Sequence, residues 1–466
     1  MTERFHLIGI GGIGMSALAS ILLARGATVS GSDAQESAIT ARLLSQGASV
    51  SIGHQAKLVE GAQRLVVSDA IRPDNPELLR AKQLGLPIQR RSQLLAELME
   101  GSRGIAVSGT HGKTTVTAML SAMLVEAGMD PTVALGGMYE PLGGNARVGR
   151  GPWFVVEACE AYESFLDLRP EIALITNMEA EHLDHHGTEA HLRASFRAFL
   201  QRILPGGCAV LCADCPELRA MGADLDCDVI TYGTPAEASV RGTDVAAEGY
   251  GMTFNLWLDG EPAGALRLGV PGAHNLLNAL GALAAARRAG APLAACQNAM
   301  AAFRGVDRRF QIVGETGGVL VIDDYAHHPT EIAATINTAR AAFPGRRLIA
   351  VFQPHLYSRT RDFAERFAQA LEEADLTVLT DIYPAREAPL PGVTVSLISE
   401  PLRARRGEDV VLEMAKGEIA TKLASLAQTG DVILAMGAGD IGQAARELAL
   451  RLGGEPTGRP EVAAKE

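Results

Sequence analysis

The run Ser108-Gly109-Thr110-His111-Gly112-Lys113-Thr114-Thr115 holds the residue types that handle phosphate. Glycines let backbone N–H groups approach anionic oxygens, a lysine reaches β- and γ-phosphates, and a threonine hydroxyl can ligate Mg2+. The run is shorter than G-x-x-x-x-G-K-[ST], yet each working part is present. A second run, Gly9-Ile10-Gly11-Gly12-Ile13-Gly14, stands between an apolar segment and a helix-like one. Such a turn lets the backbone come close to a pyrophosphate at a helix N-terminus. Asp33 follows at the end of the next apolar segment, where a carboxylate can accept from a ribose hydroxyl. Taken alone, this second run also fits an NAD-dependent oxidoreductase. That reading leaves the lysine-bearing run unexplained.

Acidic and imidazole side chains gather further along. Glu157 ends an apolar segment, and Asn177, Glu179, Glu181, His182, Asp184, His185 and His186 follow Thr176. Carboxylate oxygens with an imidazole suit Mg2+ or Mn2+ that also holds ATP phosphates. Glu157 and His182 are the expected functional pair, while His185 and His186 read as solvated loop residues. Asp323-Asp324-Tyr325-Ala326-His327-His328-Pro329 and Gln353-Pro354-His355-Leu356-Tyr357-Ser358-Arg359-Thr360-Arg361 each follow an apolar segment, with Arg308 and Arg309 before both. Arginine forks grip phosphate or carboxylate bidentately. Arg403, Arg405 and Arg406 read instead as a solvated loop. Cys212 and Cys215 have zinc-like spacing, but no second pair follows, so buried thiols are expected. The run 437–442 echoes the first glycine loop and divides evenly between packing and ligand binding.

To act together, these runs must leave the carboxyl ends of parallel strands and enter helices, where ligands of such sheets sit. Strands are expected at 5–8, 28–30, 65–68, 105–107, 154–157, 172–176, 209–212, 319–322, 348–352, 377–379 and 432–435. Helices are expected to about 25 after the first glycine run, then at 76–85, 93–99, 114–127, 275–289 and 293–303. Alternation over 252–258 predicts a half-exposed antiparallel strand. Repeated strand–loop–helix units predict an α/β fold. A length of 466 residues suggests about three domains, placed at 1–103, 104–306 and 307–466.

Composition bounds the function. With 47% hydrophobic and 21% charged residues the chain is not disordered, and a charge of −12 argues against a nucleic-acid binder. No apolar run approaches the ~20 residues of a membrane span. Met1-Thr2-Glu3-Arg4 leads straight into a strand pattern without a signal peptide, and six cysteines make no disulfide framework, so a reducing cytoplasm is expected. Residues after 453 read as a frayed tail.

Seven motifs then coincide in order: GIGGIGM, GTHGKTT, EACEAYESF from Glu157, ITNMEAEHLDHH from Ile175, PGAHNLLNALGA from Pro271, DDYAHHPTE from Asp323 and QPHLYSRT from Gln353. In that order they resemble the Mur ligase family across essentially the whole chain. The resemblance implies an N-terminal Rossmann-like domain, a central P-loop-type ATPase sheet and a C-terminal Rossmann-like domain. It implies ATP-dependent joining of L-alanine to the lactyl carboxylate of UDP-N-acetylmuramate through an acyl phosphate. A recycling ligase that joins a murein tripeptide to the same sugar is the alternative within the family.

Roles carried over by motif are likewise implied. Lys113 would bind the β- and γ-phosphates, Thr114 and Glu157 one Mg2+, and His182 a second. Asn275 would meet adenine with His274 beside it. Asp324 and His327 would hold the ribose, and Arg308 or Arg309 the γ-phosphate. Gly11, Gly12, Gly14 and Ser68 would line the uridine and diphosphate site. Tyr325, His355, Tyr357 and Arg359 would serve the amino acid and UDP-sugar. The chain departs from the family pattern at Leu356, where many relatives carry Arg, and at Arg386, where they often carry Gly. Arg386 is therefore expected to supply the missing cation. Residue 181 is Glu where the family often has Asp, and no lysine lies between His182 and Leu204. Oligomeric state stays open.

Overall fold

The computed structural model describes residues 2–454 apart from 69, 180–187 and 386. The tail expected after 453 lies almost wholly outside the described residues, as do His182, His185, His186 and Arg386. The architecture is three-domain α/β, with three sheets in sequence order.

The first sheet orders its strands Ser49–Ile52, Thr28–Asp33, Arg4–Ile8, Arg64–Val67 and Ile88–Arg90, all parallel. Strand order reverses beside Arg4–Ile8, and the loop leaving that strand's carboxyl end is Gly9–Gly14. In a doubly wound sheet this is where ligands bind. Helix Ile13–Ala24 buries Met15, Ser16, Ala17, Leu18, Ala19, Ile21 and Leu22, almost its whole circumference. A helix apolar all round must be covered on more than one side. Asn145, from strand Gly144–Arg147 of the second sheet, supplies part of the cover: its Nδ2 donates to Ile13 O at 2.7 Å and to Ser16 Oγ at 2.8 Å.

The second sheet runs Glu261–Leu268, Gly251–Leu258, Val240–Glu248, Asp228–Gly233, Cys208–Cys212, Ile172–Ile175, Arg103–Ser108, Trp153–Glu157, Thr132–Tyr139, Gly144–Arg147. Its central strands are parallel and fully buried between helices, which is why they read as continuous apolar runs. In Gly251–Leu258 the side chains of Met252, Phe254 and Leu256 are buried while Asn255 is exposed, as the alternation predicts.

The third sheet runs Gln311–Thr316, Val319–Asp324, Val432–Met436, Leu348–Phe352, Leu376–Leu379, Val411–Glu413. Alternate residues feed two cores. Leu320, Ile322, Leu348, Ala350, Phe352, Leu434 and Met436 pack on one face, and Val319, Val321, Ile349, Val351, Ile433 and Ala435 on the other. Both faces are thus covered by helices, and polar work is confined to strand ends.

By contact, the chain forms two compact units. One is Met1–Val245 with Thr253–Leu268 and Leu276–Phe303; the other is Ala246–Met252 with Gly269–Asn275 and Arg304–Glu466. One expectation is corrected: Arg403, Arg405 and Arg406 are not loop but the last turn of helix Ser396–Arg406. There Arg405 pairs with Glu365 and Glu372, and Arg403 with Glu408 and Glu413. Cations at a helix C-terminus also offset its negative dipole end. Among the described residues, no helix is long and apolar enough to cross a membrane.

Candidate active site

The phosphate loop leaves strand Arg103–Ser108 and enters helix Lys113–Glu126. Gly109 has φ +128°, and a Cβ there would stand 2.1 Å from Thr176 Oγ1. Gly112 has φ +83°, and a Cβ there would stand 2.5 Å from Asn278 Oδ1. Both positions therefore need glycine. The neighbouring strand end braces the loop. His111 N donates to Asn177 Oδ1 at 2.9 Å, Thr176 Oγ1 donates to His111 O, and Glu179 N donates to Thr110 Oγ1 at 2.9 Å. Asn177 belongs to the run after Thr176, but nothing in the sequence signals this bracing role.

Lys113 Nζ donates to the carbonyls of Gly109 and Thr110 and pairs with Glu160 at 2.9 Å. Burial pulls the ammonium's pKa down. The charges of Glu160 and Glu157, with the hydrogen bond to Glu160, outweigh that and hold it above the usual lysine value. Burial pushes the Cys159 thiol up to about 11, so it stays protonated at neutral pH. Glu160 is 1% exposed and lies inside EACEAYESF, where its sequence position alone does not single it out as the lysine's partner.

Thr114 Oγ1 donates to Glu157 Oε2 at 2.8 Å, so the structure brings together the pair expected to share a cation. Gly136 N, from strand Thr132–Tyr139, donates to the same oxygen at 2.9 Å. A Cβ on Gly136 would stand 2.3 Å from Glu157 Oε2. A hydroxyl and a carboxylate oxygen beside a phosphate loop form the hard-oxygen donor set that Mg2+ takes, so the residues present fit that ion.

The glycine loop is held from below. Gly9 N and Ile10 N both donate to Ser32 O, at 2.8 and 3.0 Å. Gly11 N donates to Asp33 Oδ2 at 2.9 Å, and Gln35 N to Asp33 Oδ1 at 3.3 Å. The Asp33 carboxylate thus helps shape the loop, with one backbone N–H on each oxygen. Gly12 caps the following helix, Gly14 is its second residue, and Ser68 Oγ accepts from Ala70 N at 3.1 Å. Under the loop, buried Glu77 bonds His6 Nε2 at 2.6 Å, Ser32 Oγ at 2.9 Å and His54 Nδ1 at 2.9 Å. Burial pushes the Glu77 pKa up. Its three partners more than offset this and leave it below the usual carboxylate range.

The second unit gathers its own cluster. The Tyr325 ring lies under two guanidinium groups, Arg308 at 4.9 Å and Arg309 at 5.0 Å. Arg308 is engaged by Gly437 O at 2.6 Å and by Asp323 at 3.6 Å, whereas Arg309 pairs more loosely, with Glu331 at 3.9 Å, and its charge also reaches Asp324. Asp324, expected at a ribose, gives both oxygens to backbone: Phe310 N and Ala326 N, each at 2.7 Å. Burial lifts its pKa to about 6. His327 bonds Tyr325 O at 3.0 Å, and its ring lies 5.9 Å from that of His355, which stacks on Tyr383 at 5.8 Å. Tyr383 was absent from the expected residues. Tyr357 and Arg359 lie in the first turn of helix Tyr357–Leu371, entered through Leu356 at φ +70°. His274 is exposed, and Asn275 Nδ2 donates to Pro271 O at 2.7 Å. In the 437–442 run the glycines pack closely on Gln353: Cβ atoms on Gly437 and Gly439 would stand 2.8 and 2.4 Å from its oxygens.

Three family models match in order. They are the Mur ligase family catalytic domain over residues 4–103, the Mur ligase middle domain over 107–286, and the Mur ligase glutamate ligase domain over 308–439. The chain belongs to the Mur ligase family. This Mur ligase is 44% identical over 452 residues to a UDP-N-acetylmuramate–L-alanine ligase of Sorangium cellulosum, covering 97% of this chain and 96% of that one. It is 43% identical to the Geobacter sp. (strain M21) protein of the same name, covering 97% and 98%. Among solved structures, the UDP-N-acetylmuramate–alanine ligase of Thermotoga maritima superposes with TM-score 0.83 at 32% identity, covering 96% and 98%. A murein peptide ligase of Psychrobacter arcticus gives 0.72 at 25%, covering 97% and 99%.

Proposed function

We infer that this Mur ligase joins L-alanine to the lactyl carboxylate of UDP-N-acetylmuramate at the expense of ATP, in peptidoglycan synthesis. The carrying observation is the 44% identity to L-alanine ligases over 97% of the chain. The tripeptide-ligating alternative is weaker, because the murein peptide ligase structure matches at lower identity and TM-score than the alanine ligase structure. The oxidoreductase reading has no support once both loops and the third sheet are explained together.

The chemistry follows from the residues. A carboxylate is a poor electrophile, so the lactyl oxygen first takes the γ-phosphoryl group of ATP, releasing ADP. The neutral amine of alanine then attacks the acyl carbon. The tetrahedral adduct collapses to amide and inorganic phosphate, and the amine's proton leaves to base or solvent. Anion attacking anion needs cations around the transferring group. In this reading Lys113 leaves Glu160 for the phosphates, and Arg309 is the better-placed guanidinium of the expected pair. Thr114 and Glu157 hold Mg2+, with His182 at a second ion. When bound, the metal supplies charge neutralisation at the phosphates. Gly11, Gly12, Gly14 and Ser68 serve the UDP moiety; Asn275 serves adenine; Tyr325, His355, Tyr357, Arg359 and Arg386 serve the amino acid and sugar. Domain limits at 1–103, 104–306 and 307–466 and a cytoplasmic location, where ATP and UDP-sugars are made, complete the reading.

The test is phosphate release from ATP with UDP-N-acetylmuramate and a series of amines. L-alanine should give the highest kcat/KM. Turnover with the murein tripeptide and none with L-alanine would overturn the assignment.

A further inference from the structure

Arg91 opens helix Arg91–Met99 and lays its side chain over Gly14. A Cβ on Gly14 would stand 3.0 Å from Arg91 Cδ and 3.2 Å from Nη1, so the guanidinium lies directly against this glycine. The neighbouring cations have acids of their own: Arg90 pairs with Asp167 and Lys113 with Glu160. Asp33, the glycine loop's own acid, is engaged by Gly11 and Gln35 N–H groups. Among the described residues, Arg91 has no carboxylate or carbonyl acceptor. Its charge nevertheless reaches the buried Cys159 thiol beside Lys113, which it draws back toward the ordinary value. Arg91 is thus a half-buried fork, in contact with one loop and within electrostatic reach of the other.

We propose that Arg91 binds the diphosphate of the UDP-sugar, donating from its guanidinium beside Gly14. The proposal rests on the ligase reading above. A planar fork with no protein acceptor suits phosphate oxygens in geometry and charge. The lactyl carboxylate is the other anion of this substrate. It must react at the phosphate loop, however, whereas Arg91 touches the glycine loop.

Steady-state KM values for UDP-N-acetylmuramate, ATP and L-alanine, with inhibition by UDP, test the proposal in wild type, Arg91→Lys and Arg91→Ala. UDP has the diphosphate and no lactyl group. In Arg91→Ala, KM for the UDP-sugar and Ki for UDP should both rise roughly tenfold or more, the loss expected for a hydrogen bond to a charged group. KM for ATP and kcat should stay within about twofold, with Arg91→Lys intermediate. An unchanged Ki for UDP overturns the proposal, even if KM for the UDP-sugar rises, since that pattern marks a lactyl contact. A parallel rise in KM for ATP also overturns it, as general damage to the fold. If the wild type releases no phosphate with any amine, the ligase reading fails. UDP affinity by calorimetry then still decides the role of Arg91.

Discussion

Gly136→Ala is the sharpest probe of the proposed metal carboxylate. The added methyl would stand 2.3 Å from Glu157 Oε2 and 2.6 Å from both Cδ and Oε1. Gly136 is absent from the positive-φ glycines, so alanine costs nothing in backbone conformation. The clash is with the far end of a flexible side chain, and the carboxylate swings away while the fold stays intact. It then loses the 2.9 Å bond from Gly136 N and the 2.8 Å bond from Thr114 Oγ1. A hydrogen bond to a charged group is worth about 1.5–3 kcal/mol, or roughly 10- to 150-fold in an equilibrium constant. Phosphate release titrated with Mg2+ should show half-saturation raised by that range, with the melting temperature within about 2 °C of wild type. Unchanged Mg2+ dependence in a well-folded Gly136→Ala protein would refute the assignment of Glu157 to the metal.

Two further outcomes concern the support beneath the loops. Glu77 has a folded pKa below the ordinary 4.5, so its contribution is present above that pH and is lost as pH falls through the folded value. Glu77→Gln should therefore cost about 2 kcal/mol in urea unfolding at pH 7, the worth of charged hydrogen bonds, with the gap to wild type closing as pH falls through the lowered pKa of Glu77. Asn145→Ala removes two buried bonds to Ile13 O and Ser16 Oγ. It should lower stability by about 1–3 kcal/mol in the same assay.

Much of the site was legible because strand ends carry it. Apolar runs such as Leu348–Phe352 must be buried strands, and whatever follows them lies at a sheet rim. The phosphate loop and Glu157 were found that way, and their meeting through Thr114 follows from adjacent parallel strands. What was not legible depends on partners rather than residue type. Asp33 and Asp324 look the same whether a carboxylate faces a ribose or a backbone N–H, and both face backbone here. Gly136 lies far from Glu157 in sequence and meets it only because Thr132–Tyr139 pairs with Trp153–Glu157. Helix Ala38–Ser45 was missed because its cap is Ser37 with Thr40, not the Ser/Thr-x-x-Glu/Gln signature, and its apolar periodicity is short.

The charge of −12 with anionic substrates resolves at this local level. At physiological salt the Debye length is about 8 Å, so distant surface acids contribute little at a half-buried loop. Within each cluster the acids are paired: Glu160 on Lys113, Asp323 on Arg308, Glu331 on Arg309. At these three positions the pair compensates the cation without a ligand, since a charge left buried and unpaired there would cost several kcal/mol. Substrate binding at these pairs is then an exchange of anions, phosphate for carboxylate, and its free energy is the difference between two strong interactions; Arg91, without such a pair among the described residues, has no carboxylate to give up. That difference favours the ligand only where several donors converge on it, as the backbone N–H groups of a glycine-rich loop do. Overall charge therefore does not decide affinity here. The arrangement of donors at each strand end does, and that is where the sequence places its glycines.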